Sequence, residues 1–178
     1  MKVVDAEFGG VHEVLMELNT DERGFFSRLF CRNSFIAAGL NGDWPQINVS
    51  MTLKRGTLRG LHFQKKPAEE IKLVTCLTGT VFDVVVDVRP DSATFGHWRS
   101  FELSEKRRLA LYVPAGFAHG FQCLSDDCRL VYLMSRDFEP ALSGGIRYDD
   151  HALGITWPLP VSCISAKDAT LPDLHSLR

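Results

Sequence analysis

The sequence has few cysteines and no spacing that would pair them. There are five in 178 residues, an odd number without a Cys-x-x-Cys unit: Cys31, Cys76, Cys123, Cys128 and Cys163. A disulfide framework requires an even set, and a zinc knuckle requires closely spaced pairs, so the sequence predicts neither. We interpret all five as reduced thiols of a cytoplasmic protein.

Long hydrophobic runs and an excess of one charge are also lacking. No apolar run is long enough to cross a membrane, and the charged start of the chain does not resemble a secretory signal. The formal net charge of −2 gives no general attraction to nucleic acid or to an anionic membrane. Without repeats or linkers, residues 1–178 are predicted to form one domain that binds a small molecule.

Short apolar runs separated by glycine and proline predict a mainly β protein. The predicted strands cover residues 11–18, 46–53, 71–77, 81–88, 98–103, 109–113 and 129–134. This pattern favours a sandwich or a small barrel whose mouth holds one ligand. Helical spacing is weak. Phe30, Ser34 and Phe35 predict one helix between residues 27 and 39, and a second short helix is expected at 165–169.

One segment carries a hairpin signal. Runs 72–77 and 81–88 flank the turn 78–80, which contains Gly79. In the second run the even-numbered apolar residues share one face, which should meet the core. Asp83 and Asp87 lie on the other face, where they either contact solvent or line a polar cavity.

The most informative residues are two histidines accompanied by two cations. The segment 58–64 contains Arg59 and His62, Lys72 follows, and the segment 114–121 contains His119. A lone histidine on an apolar strand is more often a satisfied core residue. Two such segments with Arg59 and Lys72 instead favour a cavity in which an imidazole acts as a base near neutral pH.

The spacing Pro-x-Gly-x-x-His at 114–119 resembles the second half of the cupin signature. Metal-binding cupins carry a His-x-His pair and a nearby glutamate in the first half. Here Gln64 takes the place of the second histidine, and Glu69 and Glu70 are poorly placed. Two histidines without a carboxylate make a weak divalent-metal site. We therefore predict a cupin-type double-stranded jelly roll with a few short helices and no metal, in which His62 acts as a base.

Nine segments together resemble the dTDP-4-dehydrorhamnose 3,5-epimerase family. They run in family order: Asp-Glu-Arg-Gly-Phe-Phe (21–26), Gln-x-Asn (46–48), Leu-Arg-Gly-Leu-His-Phe-Gln (58–64), Lys-Leu-Val (72–74), Gly-x-Val-Phe-Asp-Val (79–84), Thr-Phe-Gly (94–96), Gly-Phe-Ala-His-Gly-Phe (116–121), Gly-Ile-x-Trp-Pro (154–158) and Ser-Ala-Lys-Asp (165–168). The resemblance implies a cofactor-free isomerase that epimerises a nucleotide-linked 4-keto-6-deoxyhexose. Within the family, dTDP-4-dehydro-6-deoxyglucose of the dTDP-rhamnose pathway is the expected substrate.

The chemistry of such a reaction suits the residues. Protons on C3 and C5 are acidic because the C4 ketone can accept the charge as an enolate. The resemblance implies that His62 is the base, that Asp168 orients its imidazole, that Lys72 stabilises the C4 oxyanion and that Tyr132 donates the returning proton. From the residues alone, Asp168 could instead cap a helix, and Tyr132 could be an ordinary core residue.

The resemblance also implies substrate-binding residues. Cations suited to a diphosphate are Arg23, Arg59 and Lys167, and the other contacts are Phe26, Gln46, Asn48 and His119. Each has a simpler interpretation. Arg23 could pair with Asp21 in a turn, and Gln46 and Asn48 share a strand face that suits either a cavity wall or a solvated surface.

Three positions depart from the family pattern. Arg28 stands where the family usually has a glutamate, Phe138 replaces a tyrosine, and Ser143 stands where a glutamate often precedes glycine. These are candidates for determining specificity. They leave open the nucleotide base, the precise 4-keto sugar, and whether C3, C5 or both are inverted.

Two further functions are compatible with the sequence. A related cupin isomerase would move the ketone between C3 and C4, but the presence of Lys72 and Tyr132 in family context argues against it. A non-catalytic sugar-nucleotide-binding cupin should have lost His62, Asp168 or Tyr132, and all three are present. The family also forms homodimers in which N-terminal strands reach the partner, so residues 11–18 and 25–26 are candidate interface segments.

Overall fold

The structure, a computed structural model, describes residues 1–177 as a set of antiparallel strands with few helices. The strands are β1 (Lys2–Phe8), β2 (Val11–Leu15), β3 (Leu18–Asp21), β4 (Gly24–Ser27), β5 (Gln46–Thr52), β6 (Leu58–Gln64), β7 (Lys72–Thr78), β8 (Thr80–Asp87), β9 (Trp98–Ser104), β10 (Leu109–Val113), β11 (Phe117–Cys123), β12 (Cys128–Met134) and β13 (Ser143–Gly145). The helices are α1 (Arg32–Ala37), α2 (Ala166–Ala169) and the 3₁₀ turns Pro140–Leu142 and Leu174–Leu177. None of the helices in residues 1–177 is long and apolar enough to cross a membrane.

The strands form two main sheets and a separate hairpin. The six-stranded sheet has the order β1-β2-β10-β7-β12-β5, and the five-stranded sheet has the order β13-β6-β11-β8-β9. All pairings within them are antiparallel, and β3 and β4 form the two-stranded hairpin. The predicted mainly β, cupin-type jelly roll with a few short helices is confirmed.

Buried apolar residues form three clusters, one between the two sheets and one on the outer face of each. The largest fills the space between them, where Val74 and Leu130 of the six-stranded sheet meet Val85 and Phe121 of the other. A second covers the outer face of the five-stranded sheet with C-terminal residues such as Ile146. The third packs α1 on the outer face of the six-stranded sheet. Both sheets are therefore buried on parts of both faces, which explains why several strands are continuous apolar runs rather than alternating ones.

The seven predicted strands are found, but the predicted hairpin is wrong. The segments β7 and β8 lie in different sheets, because β7 pairs with β10 and β12, whereas β8 pairs with β9 and β11. Gly79, at φ 81°, turns the chain from one sheet to the other. Asp83 and Asp87 are not solvated either, since each is 0% exposed.

The predicted helix at 27–39 is shorter than expected. Helix α1 begins only at Arg32, because the segment through Ser27 pairs with β3 in the hairpin. Its buried residue is Phe35, which makes an edge contact with Phe30 at a centroid distance of 5.0 Å. The helix ends before Gly39, which has φ 73°. The second predicted helix, at 165–169, is confirmed as α2 with Ser165 as its N-cap.

A buried carboxylate organises the loop that follows β8. The carboxylate of Asp87 accepts hydrogen bonds from Arg89 Nη2, Ser92 Oγ and Thr94 Oγ1, each at 2.6 Å. Burial raises the pKa of Asp87, but these donors outweigh it and lower the pKa to about 2. The charged form is thus the stable form in the folded protein.

This network should make the free energy of unfolding depend on pH in the acid range. Because the folded pKa of Asp87 lies below the unfolded value of 3.8, its contribution is complete above about pH 4 and is lost as the pH falls through about 2. We expect Asp87→Asn to lower the free energy of unfolding by about 2 kcal/mol at pH 7. Urea unfolding of both proteins from pH 7 to pH 2.5 measures the difference, which should shrink below pH 4. A difference that stays constant with pH would contradict this assignment.

Candidate active site

A cavity of about 800 Å³ opens between the two sheets and brings most of the predicted site residues together. Its volume falls in the range of small-ligand sites. Eleven of the fourteen predicted residues line it: Gln46, Asn48, Arg59, His62, Lys72, His119, Tyr132, Phe138, Ser143, Lys167 and Asp168. Strands β5, β7 and β12 contribute from one sheet and β6, β11 and β13 from the other, and α2 adds its first turn.

His62 and Asp168 form a hydrogen-bonded pair at the cavity wall. The distance from His62 Nε2 to Asp168 Oδ1 is 2.7 Å, and Asp168 Oδ2 accepts from the backbone N–H of Gly60 at 3.0 Å. Burial raises the pKa of Asp168, but the bonds from His62 and Gly60 outweigh it and hold that pKa below its usual value. The side chain of His62 remains 41% exposed. An ionised carboxylate therefore fixes an imidazole that is still accessible to a ligand.

The helix-cap alternative for Asp168 is wrong. Ser165 caps α2, since its Oγ accepts from the backbone N–H of Asp168 at 3.0 Å. The carboxylate of Asp168 points instead to His62 and Gly60. This contact joins two residues that are 106 positions apart in the sequence.

Lys72 is a buried cation held by two acceptors. Its Nζ donates to the backbone oxygen of His62 at 2.8 Å and lies 3.1 Å from Glu70 Oε1. The side chains of Lys72 and Glu70 are 7% and 3% exposed. A lysine so enclosed has a fixed position, which is what stabilisation of a developing oxyanion requires.

Tyr132 faces the cavity from β12. Its hydroxyl lies 3.0 Å from Ser50 Oγ on the neighbouring strand β5, and its ring meets the His119 ring edge-on at 6.3 Å. Burial raises the pKa of Tyr132 far above its usual value, although the bond to Ser50 opposes this. The phenol is therefore protonated at neutral pH and can act only as a proton donor until it is deprotonated in the reaction.

His119 belongs to a second histidine-carboxylate pair. Its Nε2 lies 2.8 Å from Asp83 Oδ2, and both side chains are almost fully buried. Burial raises the pKa of Asp83, while the neighbouring His119 opposes this shift. His119 is also the direct antiparallel partner of His62 in the sheet, so the two imidazoles share one wall of the cavity.

The remaining cavity residues are polar and cationic. Arg59 is held by Thr52, whose Oγ1 accepts from Nε at 2.9 Å, and by the backbone oxygen of Met51 at 3.2 Å. Gln46 and Asn48 both line the cavity, as two residues on the same face of β5. Lys167 stands beside Asp168 in α2.

Three predicted residues do not line the cavity of their own chain. Arg23, Phe26 and Arg28 belong to the β3–β4 hairpin or follow it directly, and all are exposed. Arg23 pairs with Asp21 at 2.5 Å, which is the turn contact that the sequence also allowed. The hairpin thus carries exposed aromatic and cationic side chains away from the cavity.

Some cavity residues were not predicted from the sequence. Ser50 follows Gln46 and Asn48 at the same two-residue period, which was a usable signal. The sequence alone indicates Glu70 only as a poor metal ligand, although this residue stands two positions before Lys72 and lines the cavity. Within residues 1–177, no group of three or more histidine, cysteine, aspartate or glutamate side chains is arranged to hold a metal ion.

A family model described as dTDP-4-dehydrorhamnose 3,5-epimerase matches residues 5–176. The chain belongs to this family. A solved epimerase from Mycobacterium tuberculosis is 38% identical, with a TM-score of 0.95, and the match covers 100% of this chain and 90% of that one. The family predicted from the sequence is confirmed. The prediction of an epimerase, which is a kind of isomerase, is confirmed as well.

Two further relatives bear on substrate and regiochemistry. The dTDP-6-deoxy-D-glucose-3,5-epimerase of Legionella pneumophila, solved in complex with dTDP-4-keto-L-rhamnose, is 35% identical with a TM-score of 0.92, covering 98% of this chain and 93% of that one. A dTDP-4-dehydrorhamnose 3-epimerase of Streptomyces niveus is 39% identical over 160 residues, which are 89% of this chain and 77% of that protein.

The pairing of His62 with Asp168 predicts the effect of one isosteric change. Asp168→Asn keeps the size of the side chain but removes the charge that stabilises an imidazolium and selects its tautomer. We expect kcat to fall by about 10²- to 10⁴-fold with little change in KM. Steady-state turnover checks this, with thermal unfolding to verify folding. Unchanged turnover would reduce Asp168 to a structural residue that anchors α2.

Proposed function

We propose that this chain inverts both C3 and C5 of dTDP-4-dehydro-6-deoxyglucose to give dTDP-4-dehydro-L-rhamnose. The reaction proceeds by proton abstraction and return through enolates, and no redox cofactor takes part in that sequence. The name of the family and the ligand of the Legionella structure support this substrate.

One observation carries the mechanism. His62 lies on β6 of the five-stranded sheet, Tyr132 lies on β12 of the six-stranded sheet, and both line the same cavity. A sugar ring held between the sheets would meet the base on one side and the acid on the other. Inversion needs this arrangement, since a proton removed from one face of a planar enolate must return to the opposite face.

In this mechanism His62 is the base. With Nε2 donating to Asp168, Nδ1 is the nitrogen left to take a proton from carbon. The carboxylate then stabilises the imidazolium that forms, as in other carboxylate-histidine pairs. The low pKa of Asp168 supports this role, because the carboxylate stays charged at neutral pH.

Lys72 and Tyr132 complete the catalytic set. An ammonium fixed by His62 O and Glu70 would stabilise the enolate oxygen at C4 more strongly than the neutral ketone. Tyr132 would then protonate the enolate carbon, and Ser50, 3.0 Å away, would donate to the resulting phenolate. Arg59 and Lys167 would bind the diphosphate, with Gln46, Asn48 and His119 as polar contacts to the remaining substrate.

A second candidate is inversion at C3 alone. The Streptomyces niveus relative, named as a 3-epimerase, is about as similar to this chain as the 3,5-epimerases are. Phe138 and Ser143 both line the cavity and are the residues we propose to influence this choice and the choice of sugar.

Exchange in heavy water tests the function. The wild-type protein incubated with dTDP-4-dehydro-6-deoxyglucose in D₂O should incorporate one deuteron at C3 and one at C5, with the L-configured product seen by NMR and mass spectrometry. Tyr132→Phe should still exchange, because His62 remains, but should form inverted product at least about 100-fold more slowly. Deuterium at C3 alone would establish the second candidate, and binding without any exchange would contradict both.

We further infer a single-domain homodimer over residues 1–178. Three apolar side chains on the outward face of the edge strand β5, Ile47, Val49 and Met51, are 65%, 70% and 44% exposed. An unpaired edge with an apolar row favours association with a second copy. In the dimer the β3–β4 hairpin would bring Arg23, Phe26 and Arg28 to the partner's cavity.

The five free cysteines support a reducing, cytoplasmic location.

Mixing two inactive variants tests the shared site. Arg23→Ala and His62→Ala should each lose most activity, and co-refolded mixtures should regain about a quarter of wild-type activity, since half of the dimers are mixed and each has one complete site. Arg107→Ala, an exposed arginine on the turn between β9 and β10, serves as the control that needs no complementation. No recovery in confirmed mixed dimers would show that Arg23 acts within its own chain.

A further inference from the structure

Glu70 is a cavity residue with one unused oxygen. It precedes β7, lines the cavity, and its side chain is 3% exposed. Oε1 pairs with Lys72 Nζ at 3.1 Å, whereas Oε2 is buried without a hydrogen-bond partner among residues 1–177. A buried carboxylate oxygen that has lost water and gained no donor is costly, and a ligand that supplies a donor removes that cost.

Position separates Glu70 from other buried acceptors. Asp83 Oδ1 is also without a partner in the described chain, but Asp83 lies behind His119 and does not line the cavity. Gln46 Oε1, in contrast, is unpartnered and does line the cavity, and Gln46 is a residue that the family resemblance already assigns to the substrate. Glu70 therefore shares the combination of features found at an expected substrate contact.

Lys72 indicates which part of the ligand lies nearby. An ammonium has three N–H donors; the structure shows one donating to His62 O, while Glu70 Oε1 lies 3.1 Å from Nζ as an ion-pair partner. In the proposed function, on which this step rests, a remaining donor binds the C4 oxygen. Glu70 Oε2 would then lie beside a substituent on a carbon next to C4. Of those two carbons, C5 carries a methyl group and only C3 carries a hydroxyl.

We propose that Glu70 is a substrate-binding residue whose Oε2 accepts a hydrogen bond from the C3 hydroxyl of the sugar. This contact selects sugars that carry the hydroxyl over 3-deoxy sugars. It also positions the Lys72 ammonium relative to the reacting carbon, because one carboxylate contacts both the ammonium and the C3 substituent.

Two substrates separate this contact from the ion pair. The probes are dTDP-4-dehydro-6-deoxyglucose and its 3-deoxy counterpart, and the readout is kcat/KM for deuterium exchange at C5, a carbon common to both. Loss of the Lys72 pairing affects both substrates alike. Loss of a contact to the C3 hydroxyl affects only the first, so the ratio of the two kcat/KM values isolates the hydrogen bond.

The wild-type protein should prefer the hydroxylated sugar by at least about tenfold, as expected for a hydrogen bond to a charged acceptor. In Glu70→Ala this preference should fall to about one. In Glu70→Gln it should fall by a smaller factor, about threefold, because a neutral amide is a weaker partner. Glu69→Ala, a neighbouring carboxylate outside the cavity, should keep the wild-type ratio.

An unchanged ratio in a folded Glu70 variant would overturn the proposal and leave Glu70 as a partner of Lys72 alone. If Glu70→Ala fails to fold, as judged by circular dichroism, Glu70→Gln decides. Failure of the proposed function gives a different result: the wild-type protein would then exchange deuterium at C5 of neither substrate, whatever the residue at position 70.

Discussion

The close approach of β6 to β11 is the constraint on which the site depends. A Cβ atom on Gly60 would lie 2.7 Å from Gly120 Cα, and one on Gly120 would lie 2.7 Å from Arg59 O, so both positions require glycine. The approach makes His62 and His119 direct partners in the sheet. It also leaves the N–H of Gly60 to bind Asp168, which draws α2 onto the sheet. One backbone contact thus positions His62, Asp168 and His119.

Pairing of ionisable side chains in and beside the cavity is the second organising feature. Lys72 faces Glu70, His119 faces Asp83, and Asp168 faces His62, each within 3.1 Å. Isolated buried charges are expensive, and pairing reduces that cost without removing it. A substrate that brings a diphosphate and a ketone oxygen into this cavity would meet cations already held in place. Little reorganisation is then needed when negative charge develops at C4.

Local pattern predicted seven of the strands but not β6 or β11, which carry His62 and His119, and it predicted the partner of β7 wrongly. The run at 109–113 is continuously apolar, and in the run at 46–52 polar and apolar residues alternate. Each pattern has the length of a strand and is recognisable without its neighbours. Gly79 signalled a turn, but a turn fixes only a change of direction. Whether β8 returns beside β7 or enters the other sheet depends on β9 and β11, which are distant in sequence. The burial of Asp83 likewise depends on His119, which follows 36 residues later.

The site residues show the same contrast between what a local motif predicts and what only the fold shows. His62, Lys72, Tyr132 and Asp168 were assigned through the family resemblance, and the fold brings all four to one cavity. Glu70 was missed because its meaning comes from a cavity wall and from Lys72, not from a motif. The resemblance assigns Arg23 and Phe26 to substrate binding and makes Arg28 a specificity candidate, but a single chain keeps all three outside its cavity. Sequence similarity identifies positions but not the distance of each side chain from the cavity, which depends on how the β3–β4 hairpin packs.

The two-sheet architecture bears on why one base could serve two carbons. In a 4-keto sugar of gluco configuration, the hydrogens on C3 and C5 are axial on the same face of the ring. A ring held with that face toward the five-stranded sheet would present both hydrogens to His62, while its other face would meet Tyr132 on the six-stranded sheet. Each inversion would then need only a small rotation of the ring about the C4 oxygen, which Lys72 would hold. Whether one or both carbons react would therefore depend on how freely the ring turns in the cavity, whose walls include Phe138 and Ser143.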